Sequence, residues 1–562
     1  MSTVARPRIS APSVPGRRSS GLPAEPRSGR GPAAFRRRRV ALIAGALALV
    51  AAVALAAVLL LGGSGPAPPA TGAAKLVPAN ALAYVNLSTD PSRSSVSDAR
   101  RLAARFPDWP LLETVALNRF RSVVAGASSA DFATQIRPWL GNEASLALIE
   151  DPAGTVRPLV VLEVARAARA RAFVKAAGAV PAGAYDGAPI MAYPSGSELA
   201  FVGHYLVTGS DSALRAALAA ARGRTRALAQ NPTYKRAAAG EPANRVLDAY
   251  MPAAGIRKLL ASRTGIAAAI ALLLDRPGLE GAAFSLSPSS TGAQVIVHTV
   301  LGVGQNTPQL ATRSFRPTLQ SVLPVGSTLM LDVNGLDRAA PALLSAAATA
   351  GIAGNVAPLL RRVGSALATE GVNVHHVISL FDGETAVALS PPPSPALMIV
   401  SRVRDMTAAK SELAGLEAPV TALFAPSGSA GGQIPELADH DVAGVTVHEV
   451  GLGPGLQLDY GVFDGMIVLS TSMQAIDGVA QRARSLAAGV PYQATLADRP
   501  DRLTSLVFGD VSGLLQLGEQ TGLTSGARMR ELLGDLSKVR AIGLSSTSGE
   551  RDTTTKLNLE IR

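Results

Sequence analysis

The chain has 562 residues, with 53 Lys and Arg against 41 Asp and Glu, no cysteine, and 48% apolar residues. That length suits two to four ordinary domains or two large ones, and the missing cysteine excludes thiolate catalysis, Cys-ligated zinc, iron–sulfur clusters and disulfides. The net charge of +12 raises the question of nucleic acid, and the distribution of that charge answers it.

Residues 1–39 hold ten arginines and one acid, Glu25, so this segment alone carries +9 and the rest of the chain only +3. Nucleic-acid-binding domains concentrate positive charge on a folded face beside aromatic or base-reading groups. Here the excess sits in a Pro/Ser/Gly/Arg tail that cannot bury a core, so no nucleic-acid partner is expected.

Val40 to Leu61 is an uninterrupted apolar run of 22 residues. As a helix it is roughly 33 Å long, enough to cross a hydrocarbon core of about 30 Å. Signal-peptide cores are shorter, about 7–15 residues, so an uncleaved transmembrane helix is expected. The arginines Arg36 to Arg39 directly before it place the tail in the cytoplasm and the bulk of the chain outside the plasma membrane. They also attract anionic lipid headgroups. A Gly/Pro linker follows at residues 62–74.

Beyond the linker, ordered internal matches suggest two copies of one unit. L-V-P-A-N-A-L-A-Y-V-N-L from Leu76 echoes V-L-P-V-G-S-T-L-M-L-D-V-N from Val322, and G-N-E-A-S-L-A-L from Gly141 echoes D-G-E-T-A-V-A-L from Asp382. Short alternating runs bounded by Gly, Pro and Asp-Gly read as strands and hairpins. Between them lie helical stretches at Arg166 to Ala177, Asp211 to Ala221, Ala253 to Leu274 and Met473 to Ala488. The expected fold class is α+β. It comprises two tandem homologous domains (75–302 and 317–562, joined by a linker at 303–316), each a mostly antiparallel sheet with helices packed on one face, preceded by one transmembrane helix.

The opening strand Leu76 to Leu87, its echo at Leu323 to Val333 and the basic tail with a single span together resemble the bacterial family catalogued as domain of unknown function 3352. The resemblance implies an envelope-located protein with no assigned activity, and it transfers no catalytic residue.

Residue patterns that carry chemistry are few. His204 reads as part of a hairpin turn and His298 as an outward-facing strand residue. His375-His376 and the segment from His440 to Glu449 come nearest to a metal cluster, with His440 in the loop before the strand of His448, but three or four converging ligands are required. There is no H-E-x-x-H, no Gly-Lys dipeptide for a phosphate loop and no G-x-S-x-G, and G-L-G-P-G at Gly451 to Gly455 reads as a turn. Glu143 and Glu384 each begin a strand after a Gly, and paired carboxylates can do acid/base work, yet they fall in different copies. Asp332 and Asp510, in D-V-N-G-L and D-V-S-G-L, read as helix caps. Ile256 to Leu274 is too short in its apolar core to span a membrane and reads as a core helix, with a docked face or a pocket wall as alternatives.

No catalytic, cofactor-binding or metal-binding residue is therefore assigned. The expected function is a single-pass, membrane-anchored extracytoplasmic protein, non-enzymatic, binding an envelope protein or serving as a scaffold. A carrier of a lipid or other apolar ligand and a hydrolase with an unrecognised site are the alternatives.

Overall fold

The alternating runs become strands joined by tight turns in a computed structural model of the chain. It describes residues 68–111, 131–259, 278–302, 313–336, 378–390, 395–424, 437–453, 456–482, 484–520 and 533–562, with a few isolated positions between. Asp186-Gly187, Ala443-Gly444 and Asp464-Gly465 all have positive φ at both residues, the backbone that a two-residue hairpin turn requires.

The first half supplies β1 (Ala83–Ser88), β2 (Leu140–Glu150), β3 (Val156–Val164), β4 (Val180–Tyr185), β5 (Ala188–Ala192), β6 (Glu198–Val202), β7 (Tyr205–Gly209), β8 (Leu247–Pro252), β9 (Leu279–Pro288) and β10 (Gly292–Leu301). The second supplies β11 (Leu329–Asn334), β12 (Glu384–Leu389), β13 (Leu397–Arg402), β14 (Leu437–Val442), β15 (Val445–Gly453), β16 (Leu456–Phe463), β17 (Met466–Ser470), β18 (Ser505–Asp510), β19 (Val539–Ser548) and β20 (Asp552–Ile561). Followed through its paired neighbours, the sheet runs 4-5-6-7-3-2-1-8-9-10-20-19-18-11-12-13-17-16-15-14, antiparallel throughout.

This order corrects the expected fold class. Instead of two tandem domains with a sheet each, the strands form one twenty-stranded sheet, because β10 and β20 pair over nine register positions from Gly292↔Glu560 to Val300↔Asp552. Side chains reinforce the joint. Gln294 Nε2 donates to Asn558 Oδ1 at 3.0 Å and His298 Nδ1 lies 3.0 Å from Thr554 Oγ1. Arg105, just past helix α1 (Ser94–Ala103), donates to the carbonyls of Ser290 and Ile561 at 2.9 Å each. An apolar register row crosses the joint unbroken, through Val295, Leu557, Leu544, Val507 and Leu331.

Helices also cover both faces of the sheet, not one. On one face of the first half, α1 and α2 (Ala167–Ala176) pack over Phe132, Ile136, Trp139 and Leu162; on the other, α3 (Asp211–Ala221) and α4 (Pro232–Ala237) pack over Tyr84, Ile149 and Val161. That is why β3 reads as a continuous apolar run: Leu159 to Leu162 are each at most 1% exposed, with alternate residues feeding opposite cores. A fully buried Leu or Val contributes roughly 1.5–3 kcal/mol, so these strands are the stable spine. α5 (Ala253–Leu259) is the described part of the long helix expected from Ala253. In the second half, α6 (Met406–Phe424) covers Tyr460 and Ile467. On the opposite face α7 (Met473–Ala480) and α8 (Val490–Leu496) cover Val468 and Phe508, and α9 (Val511–Gln520) follows β18.

The run Val40 to Leu61 lies outside the described residues. Among those described, no helix is long and apolar enough to cross a membrane.

Candidate functional site

The matched acids Glu143 and Glu384 each hold down a short 3-10 turn. Glu143, 0% exposed, accepts from the backbone N–H of Gly72 at 2.9 Å and from that of Ala73. Glu384 accepts from the N–H of Thr318 and Leu319, the latter at 2.8 Å, and from Thr318 Oγ1 at 2.6 Å. Four orphan N–H groups begin any helical turn, and a carboxylate there satisfies them. Burial raises the pKa of Glu143, and the two backbone donors oppose the rise. Neither acid faces the other, and both are occupied by backbone.

Asp510 caps α9 as expected, its Oδ1 accepting from Ser512 N at 3.0 Å and Gly513 N at 3.4 Å. Asp332 does not cap anything. It lies inside β11 at 0% exposure, and neither of its oxygens meets an N–H or O–H donor. The register Asn334↔Glu384 and Asp332↔Ala386 puts it diagonally beside Glu384 on the same face. A buried carboxyl beside a second, half-buried acid is held in its neutral form, since burial and a like charge both disfavour ionisation. Burial, reinforced by Glu384, pushes Asp332 up to about 9, so Asp332 keeps its own proton at neutral pH. In β1 the corresponding diagonal, Asn86 beside Glu143 (Ser88↔Glu143, Asn86↔Ser145), carries a neutral amide. Asn86 donates to Ala70 O at 2.8 Å and accepts from Ser145 Oγ at 2.7 Å.

A third buried group centres on Arg245, whose Nε lies 3.1 Å from Glu241 Oε2 and 3.2 Å from Asp248 Oδ1. Burial raises both acids while Arg245 pulls them back. Removing the arginine would strand two buried acids, at a cost on the order of 3–5 kcal/mol.

The histidines separate. His204 occupies the β6–β7 turn, as expected. His298 is half-buried and bonded across the β10–β20 joint, where an outward-facing residue was expected. His440 belongs to β14 and not to a loop, 2.9 Å from Glu449. His448 lies 2.7 Å from Asp439 and stacks on Tyr460 at 4.7 Å. Among the described residues no three His, Asp or Glu side chains are placed to hold a metal. His375 and His376 lie outside the described residues, as does most of Ile256 to Leu274 beyond Leu259. Gly451 to Gly453 end β15 beside a register shift, so this stretch belongs to the β15–β16 hairpin.

An open cleft of about 420 Å³ lies at one end of β2 and β3, and no motif in the sequence marks it. A single π-turn at Phe132–Ile136 builds one wall. Asp131 Oδ1 caps it by accepting from Thr134 N at 2.8 Å, and Arg137 N reaches back to Phe132 O at 2.9 Å. That five-residue closure, a device common at functional sites, buries Phe132 at 4% exposure and leaves Arg137 at the rim. The loop after β1 supplies Thr89 and Pro91, the start of β2 supplies Leu140 to Asn142, and the β3–α2 junction supplies Ala165 and Arg166. Thr89 Oγ1 donates to Gly141 O at 2.6 Å and Arg166 Nη1 to Pro138 O at 3.2 Å, fixing two sides. Both charged residues lining the cleft are arginines.

A family described as Protein of unknown function (DUF3352) matches residues 42–562. The chain belongs to this family. The match begins inside the apolar run and extends to the C-terminus, covering the whole DUF3352 sheet. No curated protein sequence matches the chain. Two solved structures of TP0453 are similar in part. Crystal form III is 11% identical with a TM-score of 0.26 over 44% of this chain and 90% of that one; crystal form I is 11% identical with a TM-score of 0.25 over 44% and 88%.

Proposed function

We propose that this DUF3352 protein is a non-enzymatic binding or scaffold protein of the cell envelope. In this proposal the run Val40 to Leu61 attaches it to the membrane, anionic headgroups gather near Arg36 to Arg39, and the sheet lies on the extracytoplasmic side. What supports binding over catalysis is where the ionisable groups lie. Glu143, Asp248 and Asp332 are 0–4% exposed and sealed from any substrate, two of them pinned by backbone donors or an arginine. The open cleft offers arginines, which hold anions but do not exchange protons at neutral pH.

Two classes of occupant fit. An envelope protein would find the cross-strand row Leu329, Leu389 and Leu397, whose outer members are 37% and 47% exposed. A small ligand would find the cleft. Native mass spectrometry of the full chain, purified from its own host membrane, tests the proposal. A protein or small molecule retained in fixed stoichiometry is expected. Preparations that carry nothing and turn over a hydrolase substrate panel would overturn it.

A further inference from the structure

Resting on the binding function just proposed, we infer that the cleft at the π-turn is a site for a small ligand with an anionic head on an apolar body. Arg137 and Arg166 hold the head. Arg137 carries a guanidinium with no protein partner among the described residues. Arg166 spends one N–H on Pro138 O, which orients the planar group and leaves its other donors without a partner among the described residues. A guanidinium recognises carboxylate or phosphate oxygens through paired, charge-assisted N–H bonds.

Among the described residues no ion pair joins Arg137 or Arg166 to an acid; the carboxylates nearby in the chain keep their charge but turn oxygens to other, neutral donors. Asp90 Oδ1 accepts from Ser92 N and Oγ at 2.9 and 2.7 Å, Asp131 Oδ1 accepts from Thr134, and Glu163 Oε2 accepts from Asn142 N at 2.7 Å. The remaining surface is apolar where it matters for the body, with Phe132, Leu140 and Pro91 forming the wall. At about 420 Å³ the space falls in the range of small-molecule sites, roughly 300–1,000 Å³. It is too small for a folded partner.

The test uses the full chain in nanodiscs of zwitterionic lipid, titrated calorimetrically with 4-phenylbutyrate. The alcohol analogue 4-phenylbutanol and inorganic phosphate serve as comparison probes. One phenylbutyrate site is expected, with phenylbutanol weaker by about tenfold for lack of the charged head and phosphate weaker for lack of the body. Arg137→Gln should remove that tenfold preference for the carboxylate and leave the melting temperature unchanged, since the Arg137 guanidinium has no partner among the described residues and its backbone bond to Phe132 O survives the change. Equal affinity for phenylbutyrate and phenylbutanol, an unchanged preference in Arg137→Gln, or no binding by phenylbutyrate would each overturn the site. The broader binding function would survive any of these, because it is judged on what co-purifies from the membrane.

Discussion

At the scale of single residues, Asp332 and Asn86 pose one question with two answers. Each lies buried and diagonally beside a glutamate, and each stays neutral there; Asn86 does so by its chemistry and Asp332 by keeping a proton. An unfolded aspartate ionises near 4, whereas folded Asp332 holds its proton to about 9. Between those values the folded state binds the extra proton, so this group's stabilisation is complete below about pH 4 and drains away as pH rises. Asp332→Asn cannot ionise and should escape that loss. Melting curves at pH 5 and pH 8 should show the variant gaining on wild type as pH rises, by on the order of 4 kcal/mol between the two. A difference that does not change with pH would mean Asp332 is ionised in the fold.

At the scale of elements, the joint strand β10 tolerates no extra bulk. A Cβ on Gly292 would sit 1.9 Å from the carbonyl oxygen of Leu559, a backbone atom in the paired strand β20. Gly292→Ala therefore has to push the two strands apart, and urea unfolding should show a loss of about 3 kcal/mol. Gly415, exposed on α6 with nothing within 4 Å of its added Cβ, is the contrast. Gly415→Ala should stabilise by roughly 0.5–1 kcal/mol through helix propensity alone. If both changes act alike, the β10–β20 contact is not as close as described.

At the scale of the whole molecule, the single sheet makes the two halves mutually dependent. Cutting between β10 and the second half without removing either piece leaves two complementary ten-residue edges. Unpaired edges of that length seek partners. Residues 68–302 and 313–562 produced separately should aggregate, and produced together they should co-elute as one complex in size-exclusion chromatography. Two stable, non-interacting monomers would restore the picture of independent domains.

What the sequence settled on its own was local. The period-two runs and Asp-Gly turns located the hairpins, and the helices at Ala167–Ala176 and Asp211–Ala221 fell almost where the pattern put them, because turn geometry and strand alternation depend on neighbouring residues. The partition of charge and the lack of cysteine chemistry were equally legible, being matters of composition. What the tertiary structure alone decided was everything that depends on register and on contacts hundreds of residues apart. Asp332 looked like a cap until pairing with β12 set it beside Glu384. Two sheets became one because β20, the last strand, found β10. The cleft drew Arg137 and Arg166 together from segments whose residues, taken singly, carry no signal. A strand's pattern states which face is apolar but not which strand it will lie against, since backbone hydrogen bonds are alike in every antiparallel pair. That choice is made only when the faces pack.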